Sequence, residues 1–296
     1  MRQLIIGFIL TLAPAAADQP RAVSLETQGN VIIVKASIGN SEPLDMALDT
    51  GTVYTTLNEA VAAKLGLDLS MKAQSSGMKG MQEISIIKNQ TLTFCGLEIK
   101  EPLMVSYPLE FVSKRIGRRV DGIIGVELLK KYIVEIDYPG RQVRVHAPET
   151  FAYAGPGESV PLTYDSRHLP LVTGSVTPYG GQPIPVRFQV DSGGAAAHAM
   201  FWKSFIEKHD LASGARGIKE VQVTAFTGTT TQKQGRVQAL QIGKIVMNDP
   251  EVGFNNYQGG DPTVCDSNLG SGFLRRFKVI FDLPHDRMIL ESPAGS

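Results

Sequence analysis

Two triplets constrain this chain more than anything else in it. Asp49-Thr50-Gly51 and Asp191-Ser192-Gly193 each close an apolar stretch, Leu44-Asp45-Met46-Ala47-Leu48 in one case and Val186-Arg187-Phe188-Gln189-Val190 in the other. A second matched pair follows. Asp121-Gly122-Ile123-Ile124-Gly125 leads into Val126-Glu127-Leu128-Leu129, and Asp266-Ser267-Asn268-Leu269-Gly270 leads into Ser271-Gly272-Phe273-Leu274. The interval from 49 to 191 nearly equals that from 125 to 270, so the chain is a duplication. Each copy offers one carboxylate on a tight turn, because Asp and Gly both favour turns. Two like lobes with one such turn each are what a shared pair of carboxylates requires.

The 296 residues are enough for two modest cores. Lys+Arg and Asp+Glu both number 29, so charge gives no reason to expect nucleic acid or an anionic surface as partner. The first residues do not read as fold. Arg2 precedes an apolar run from Leu4 to Leu12, and Ala15-Ala16-Ala17 supplies the small residues of a cleavage site. The run is far short of the ~20 residues that span a bilayer. The expectation is a signal peptide over 1–17, a mature start near Asp18, no membrane span afterwards, and a periplasmic or secreted protein.

Residues 18–147 are expected to form one lobe, 148–161 a linker rich in Pro, Gly and Ala, and 162–296 the second lobe. Short β-branched runs between Gly/Pro turns predict a mostly β chain. In the first copy, strands are expected over Val31–Ile38, Leu44–Leu48, 84–87, 91–94 and 103–106. A short helix over 58–65 is stopped by Gly66, and a closing hairpin covers 133–137 and 142–146. The second copy repeats this order, with a helix over 201–208 and a hairpin over 279–291. Trp202 and Phe205 read as core. Cys95 and Cys265, the only cysteines, fall at non-equivalent places in the repeat and read as small buried residues.

With its two Asp-Thr/Ser-Gly turns and the answering Ile124-Gly125 and Leu269-Gly270 steps, the chain resembles the aspartic peptidases, and among them the bacterial retropepsin-like group, over residues 25–292. The resemblance implies a two-lobed pepsin/retropepsin-like acid protease fold with Asp49 and Asp191 as catalytic residues. It places Ile124, Gly125, Leu269 and Gly270 in a second motif packed beneath the catalytic turns. The chain departs from the family pattern at Gly194, where Ala, Ser or Thr is usual, and its lobes are shorter than those of pepsins. Two adjacent carboxylates cannot both ionise, so such a pair holds one proton over a range of pH; this is the known behaviour of the aspartic-protease dyad itself. One member then acts as base toward a water and the other as acid toward the carbonyl. Thr50 and Ser192 are expected to bond local backbone and hold the turns, while Gly51 and Gly193 permit a close approach.

The resemblance also makes Gly77, Met78, Gly80 and Met81 candidates for a flap over bound peptide, with Phe226 and Gly228 as counterparts in the second copy. The five histidines show no metal-ligand spacing. No Gly-x-Ser-x-Gly and no phosphate-binding Gly-rich loop is present. Asp121, Asp137, Asp266 and Asp282 read as turn and packing residues. The reading is an exported aspartic endopeptidase without metal or cofactor, acting on peptide or protein substrates as a monomer. A peptide-binding envelope protein on the same fold, weakly active or inactive, and a structural envelope protein are the alternatives.

Overall fold

The structure, a computed structural model, describes residues 21–293 other than 78–79, 195 and 226–227. The expected signal segment, Met78 and Phe226 therefore lie outside the described residues. The chain is mostly β, 48% strand and 14% helix, in three sheets.

The eight-stranded sheet of the first lobe is built around Leu44–Leu48, which pairs in parallel with Gly122–Ile124. That strand pairs antiparallel with Thr56–Asn58, which pairs in parallel with Leu97–Tyr107. The ten-stranded sheet of the second lobe repeats this run. Ile184–Val190 is parallel to Ser267–Leu269, which is antiparallel to Ala199–Phe201, itself parallel to Glu251–Phe254. These central strands are short and nearly wholly buried, as their apolar composition requires. Asn268 is the polar residue in the middle of one of them.

Asp121 and Asp266 have more specific work than turn formation. The Asp121 carboxylate accepts the Asp45 N–H at 3.0 Å, and Asp266 accepts the Arg187 N–H at 3.0 Å. Each thereby pins the strand that delivers an Asp-Thr/Ser-Gly turn four residues later.

The third sheet joins the lobes. Its strand order is Val23–Ser24, Gln142–His146, Ile133–Asp137, Lys278–Asp282, Arg287–Glu291 and Glu158–Pro161. The central pairing, Val134 with Phe281 and Ile136 with Val279, joins one lobe's closing hairpin to the other's. The last residues of the expected linker are thus a sheet strand, paired with residues 287–290. One contiguous core runs through all three sheets, with Met46 and Leu48, Phe188 and Val190, and Ile136 and Phe281 buried in it. Each such side chain contributes roughly 1.5–3 kcal/mol.

Two local readings need correction. The strands expected at 84–87 and 91–94 are one fifteen-residue strand, Gly80–Phe94. It passes through Asn89 with φ 56 instead of ending there. It turns into Leu97–Tyr107 through Cys95 and Gly96, both at positive φ, as a two-residue hairpin of matching twist demands. Cys95 and Cys265 are both free and buried. A helix, Glu110–Ile116, stands where none was expected. It is closed by Gly117 in the left-handed region and carries Lys114 and Arg115 in its last turn. The predicted helix after the first turn is Glu59–Lys64, capped by the Asn58 side chain accepting the Ala60 N–H at 3.0 Å.

Candidate active site

Each strand ends in a turn held from below. The Asp49 N–H donates to the Ile124 carbonyl at 3.0 Å and the Asp191 N–H to the Leu269 carbonyl at 3.1 Å. Gly125 lies directly beneath the first turn. A Cβ there would meet the carbonyl oxygens of Thr52 and Val53 at 2.8 Å, so the step must be glycine. Gly270 donates its N–H to the His198 carbonyl in the second lobe.

The two turns meet face to face. A Cβ on Gly51 would sit 2.8 Å from the carboxyl carbon of Asp191, and one on Gly193 would sit 2.6 Å from that of Asp49. Each carboxylate therefore rests against the glycine of the opposite turn, which brings the two carboxylates together. The expectation for Thr50 and Ser192 was local bonding. The structure instead has them bond across the lobes. Thr50 Oγ1 donates to the Val190 carbonyl at 2.9 Å and accepts the Ser192 N–H at 2.9 Å. Ser192 Oγ donates to the Leu48 carbonyl at 3.0 Å and accepts the Thr50 N–H at 3.0 Å. Both side chains are fully buried, so these four bonds satisfy groups that water cannot reach.

Asp49 accepts the Gly51 N–H on Oδ1 at 2.8 Å and the Thr52 hydroxyl on Oδ2 at 2.9 Å. Asp191 accepts the Asn268 amide Nδ2–H on Oδ2 at 2.6 Å. Burial pushes the Asp191 carboxyl up to about 8, and the adjacent Asp49 charge acts in the same direction. The proton so retained belongs to the pair, since the two groups titrate together.

This has a measurable consequence. Between about pH 4 and pH 8 the folded chain keeps a proton that the unfolded chain has released. Protons therefore favour folding in that window. Stability due to this group is full below the ordinary carboxyl value and is lost as pH rises toward 8. Melting temperature should fall across that window in the wild type, and the fall should be absent in Asp191→Asn. Equal slopes in the two proteins would contradict a shared proton.

A model of the aspartyl protease family matches residues 34–128 and 172–273, one segment on each lobe and each containing one Asp turn with its answering glycine. The chain belongs to the aspartyl protease family. Among solved structures, this aspartyl protease is similar to the aspartic proteinase from Irpex lacteus, with 15% identity and a TM-score of 0.60 over 92% of this chain and 97% of that one. At that identity the likeness concerns the fold. No curated protein matches the chain.

The remaining site candidates belong to two hairpins, one in each lobe. Gly77 pairs with Gly80, and Ser76 with Met81, at the tip of the Lys72–Gly77 hairpin. Gly228 pairs with Ala225 at the tip of the matching hairpin in the second lobe. Three residues carry more of this protease's site than their sequence revealed. Burial raises the Tyr107 phenol to about 12, with the Asp49 charge adding to it. Burial also raises Tyr138, again with the two Asp charges, and its hydroxyl has no partner among the described residues. Asn268 is the third, and its signal was present in the sequence as a polar residue where the first copy has Ile123.

Proposed function

We propose that the protein is an exported aspartic endopeptidase that hydrolyses peptide bonds with a water activated between Asp49 and Asp191. The observation that carries the reading is the reciprocal seating of each carboxylate on the opposite turn's glycine. The ionised carboxylate takes a proton from water as its oxygen attacks the carbonyl carbon. The protonated one gives its proton to the carbonyl oxygen. Collapse of the tetrahedral diol returns that proton to the carboxylate pair and breaks the C–N bond. The amine leaves with a proton from the pair. No cofactor takes part. The hairpin of Lys72–Gly77 with Gly80–Phe94, and its counterpart Arg216–Ala225 with Gly228–Arg236, are the candidates for contacting an extended peptide. The mature chain starts near Asp18 and works in the periplasm or outside the cell.

The test is incubation of the purified chain with denatured protein across pH, with and without pepstatin, reading cut sites by mass spectrometry. Pepstatin-sensitive cleavage is expected. A well-folded chain that cuts nothing at any pH would favour a peptide-binding role. Because one chain carries both turns, the protein should act as a monomer, since linkage holds the lobes at roughly millimolar effective concentration. Specific activity should be constant on dilution. A steep loss, with a matching change in sedimentation, would place the site between chains.

A further inference from the structure

The two lobes hold their carboxylates by different devices. In the first, the hydroxyl of Thr52, three residues past Asp49, donates to Asp49 Oδ2 at 2.9 Å. The matching residue in the second lobe is Gly194, which has no side chain to donate. There the donor comes from below. Asn268 Nδ2 reaches Asp191 Oδ2 at 2.6 Å from the middle of the strand Ser267–Leu269, and its counterpart in the first lobe is Ile123, which cannot donate. The donor is missing at one position and gained at another, in the same lobe and on the same oxygen.

We infer that Asn268 is the positioning residue of Asp191, replacing the hydroxyl that Gly194 lacks. The inference rests on Asp191 being half of a catalytic pair. A second observation supports it. Asn is a poor strand residue, and the other end of this amide, Oδ1, is buried without a partner among the described residues. Orphaning an acceptor is costly, so the local fold gains nothing from Asn that an apolar residue would not give. Its one hydrogen bond goes to the carboxylate.

The substitution is not chemically neutral. A hydroxyl rotates and can either donate or accept. The Nδ2–H group only donates. It keeps Asp191 Oδ2 as an acceptor and so disfavours that oxygen as the seat of a proton. It also favours the ionised form of Asp191.

The test uses Asn268→Leu, Gly194→Ser and the double variant, each with melting temperature and full pH profiles of kcat and kcat/KM on a peptide substrate. Serine fits at 194 with a shift of a few tenths of an ångström, because a Cβ there would lie 3.0 Å from the Asp191 carbonyl oxygen and 3.2 Å from Asp191 Oδ2. Asn268→Leu should remain folded, lose about 10-fold in kcat, and move both limbs of the profile to higher pH by about one unit. The double variant should move the limbs back at least halfway. An unmoved profile in Asn268→Leu, or a double variant as displaced as the single, overturns the assignment. If Asn268→Leu does not fold, Gly194→Ser alone decides: a second donor on Oδ2 must move the limbs to lower pH, and unmoved limbs overturn the assignment. Asp191→Asn is run alongside. Activity in that variant would sink the dyad itself, whereas an inactive Asp191→Asn beside an unmoved Asn268→Leu sinks only the positioning role.

Discussion

Asp49→Asn and Asp191→Asn should each lose at least about a thousandfold in kcat, with KM little changed, because general acid and general base each contribute roughly 10²–10⁴ and an amide can be neither. One carboxylate cannot take the water's proton and hold another for the carbonyl at the same moment. The fold should survive. At position 49 the amide oxygen can still accept the Gly51 N–H while the Thr52 hydroxyl turns to accept from the amide nitrogen, and at position 191 the amide oxygen can still accept from Asn268. Above about pH 8 the variants should melt no lower than the wild type, since the substitution removes one of two crowded negative charges. Steady-state kinetics and melting curves on the same preparations make the comparison. Near-wild-type turnover in either variant would mean that the two Asp do not act together.

Thr50→Val should be the most damaging conservative change to stability near the site. Valine keeps the shape and removes the hydroxyl. The Ser192 N–H then loses its acceptor and the Val190 carbonyl its donor, both in a place with no access to water. Orphaning two buried groups costs about 2–6 kcal/mol at 1–3 kcal/mol each, which lowers the melting temperature by roughly 3–10 °C in a chain of this size. Ser192→Ala should cost a similar amount, through the Thr50 N–H and the Leu48 carbonyl. The two effects should not add, because both hydroxyls set one spacing between the lobes. Activity should fall further than stability explains, since that spacing also sets the distance between the carboxylates. A melting temperature within about 1 °C of wild type in Thr50→Val would show that the cross-lobe bonds carry little.

Much of the site was legible because the chain says it twice. Two turns with matched strands before them and matched glycines after them fixed the mostly β fold, the two lobes and the residues that converge. Spacing along the chain carries no information about which lobe a hydroxyl faces, so Thr50 and Ser192 were read as local. The four cross-lobe bonds join residues far apart in sequence. The helix Glu110–Ile116 escaped because it is only seven residues long, too short for its spacing of Leu109, Val112 and Ile116 to stand out from the surrounding apolar residues. Gly80–Phe94 was split because Asn89 looks like a turn residue, and only pairing with Leu97–Tyr107 on both sides of it keeps the strand continuous. Asn268 was visible as a letter but not as a role. Gly194 stood out in the sequence as a departure, but nothing along the chain says that Asn268, seventy-four residues later, reaches the carboxylate beside it.

The sheet that joins the lobes also sets a timetable for biosynthesis. Ile133–Asp137 has its inner neighbour in Lys278–Asp282, and Arg287–Glu291 completes that hairpin close to the end of the chain. A ribosome makes the first lobe long before its partner strand exists. Throughout that interval the nascent chain carries an open, apolar sheet edge at Ile133, Val134 and Ile136, the kind of edge that invites mispairing. Until Asp191 and the strand Ser267–Leu269 that holds its turn are made, the Asp49 turn likewise has nothing seated opposite it. The opposed pair of turns and the sealed edge both wait for strands of the second lobe, Ser267–Leu269 and Lys278–Asp282, so a chain lacking them has neither.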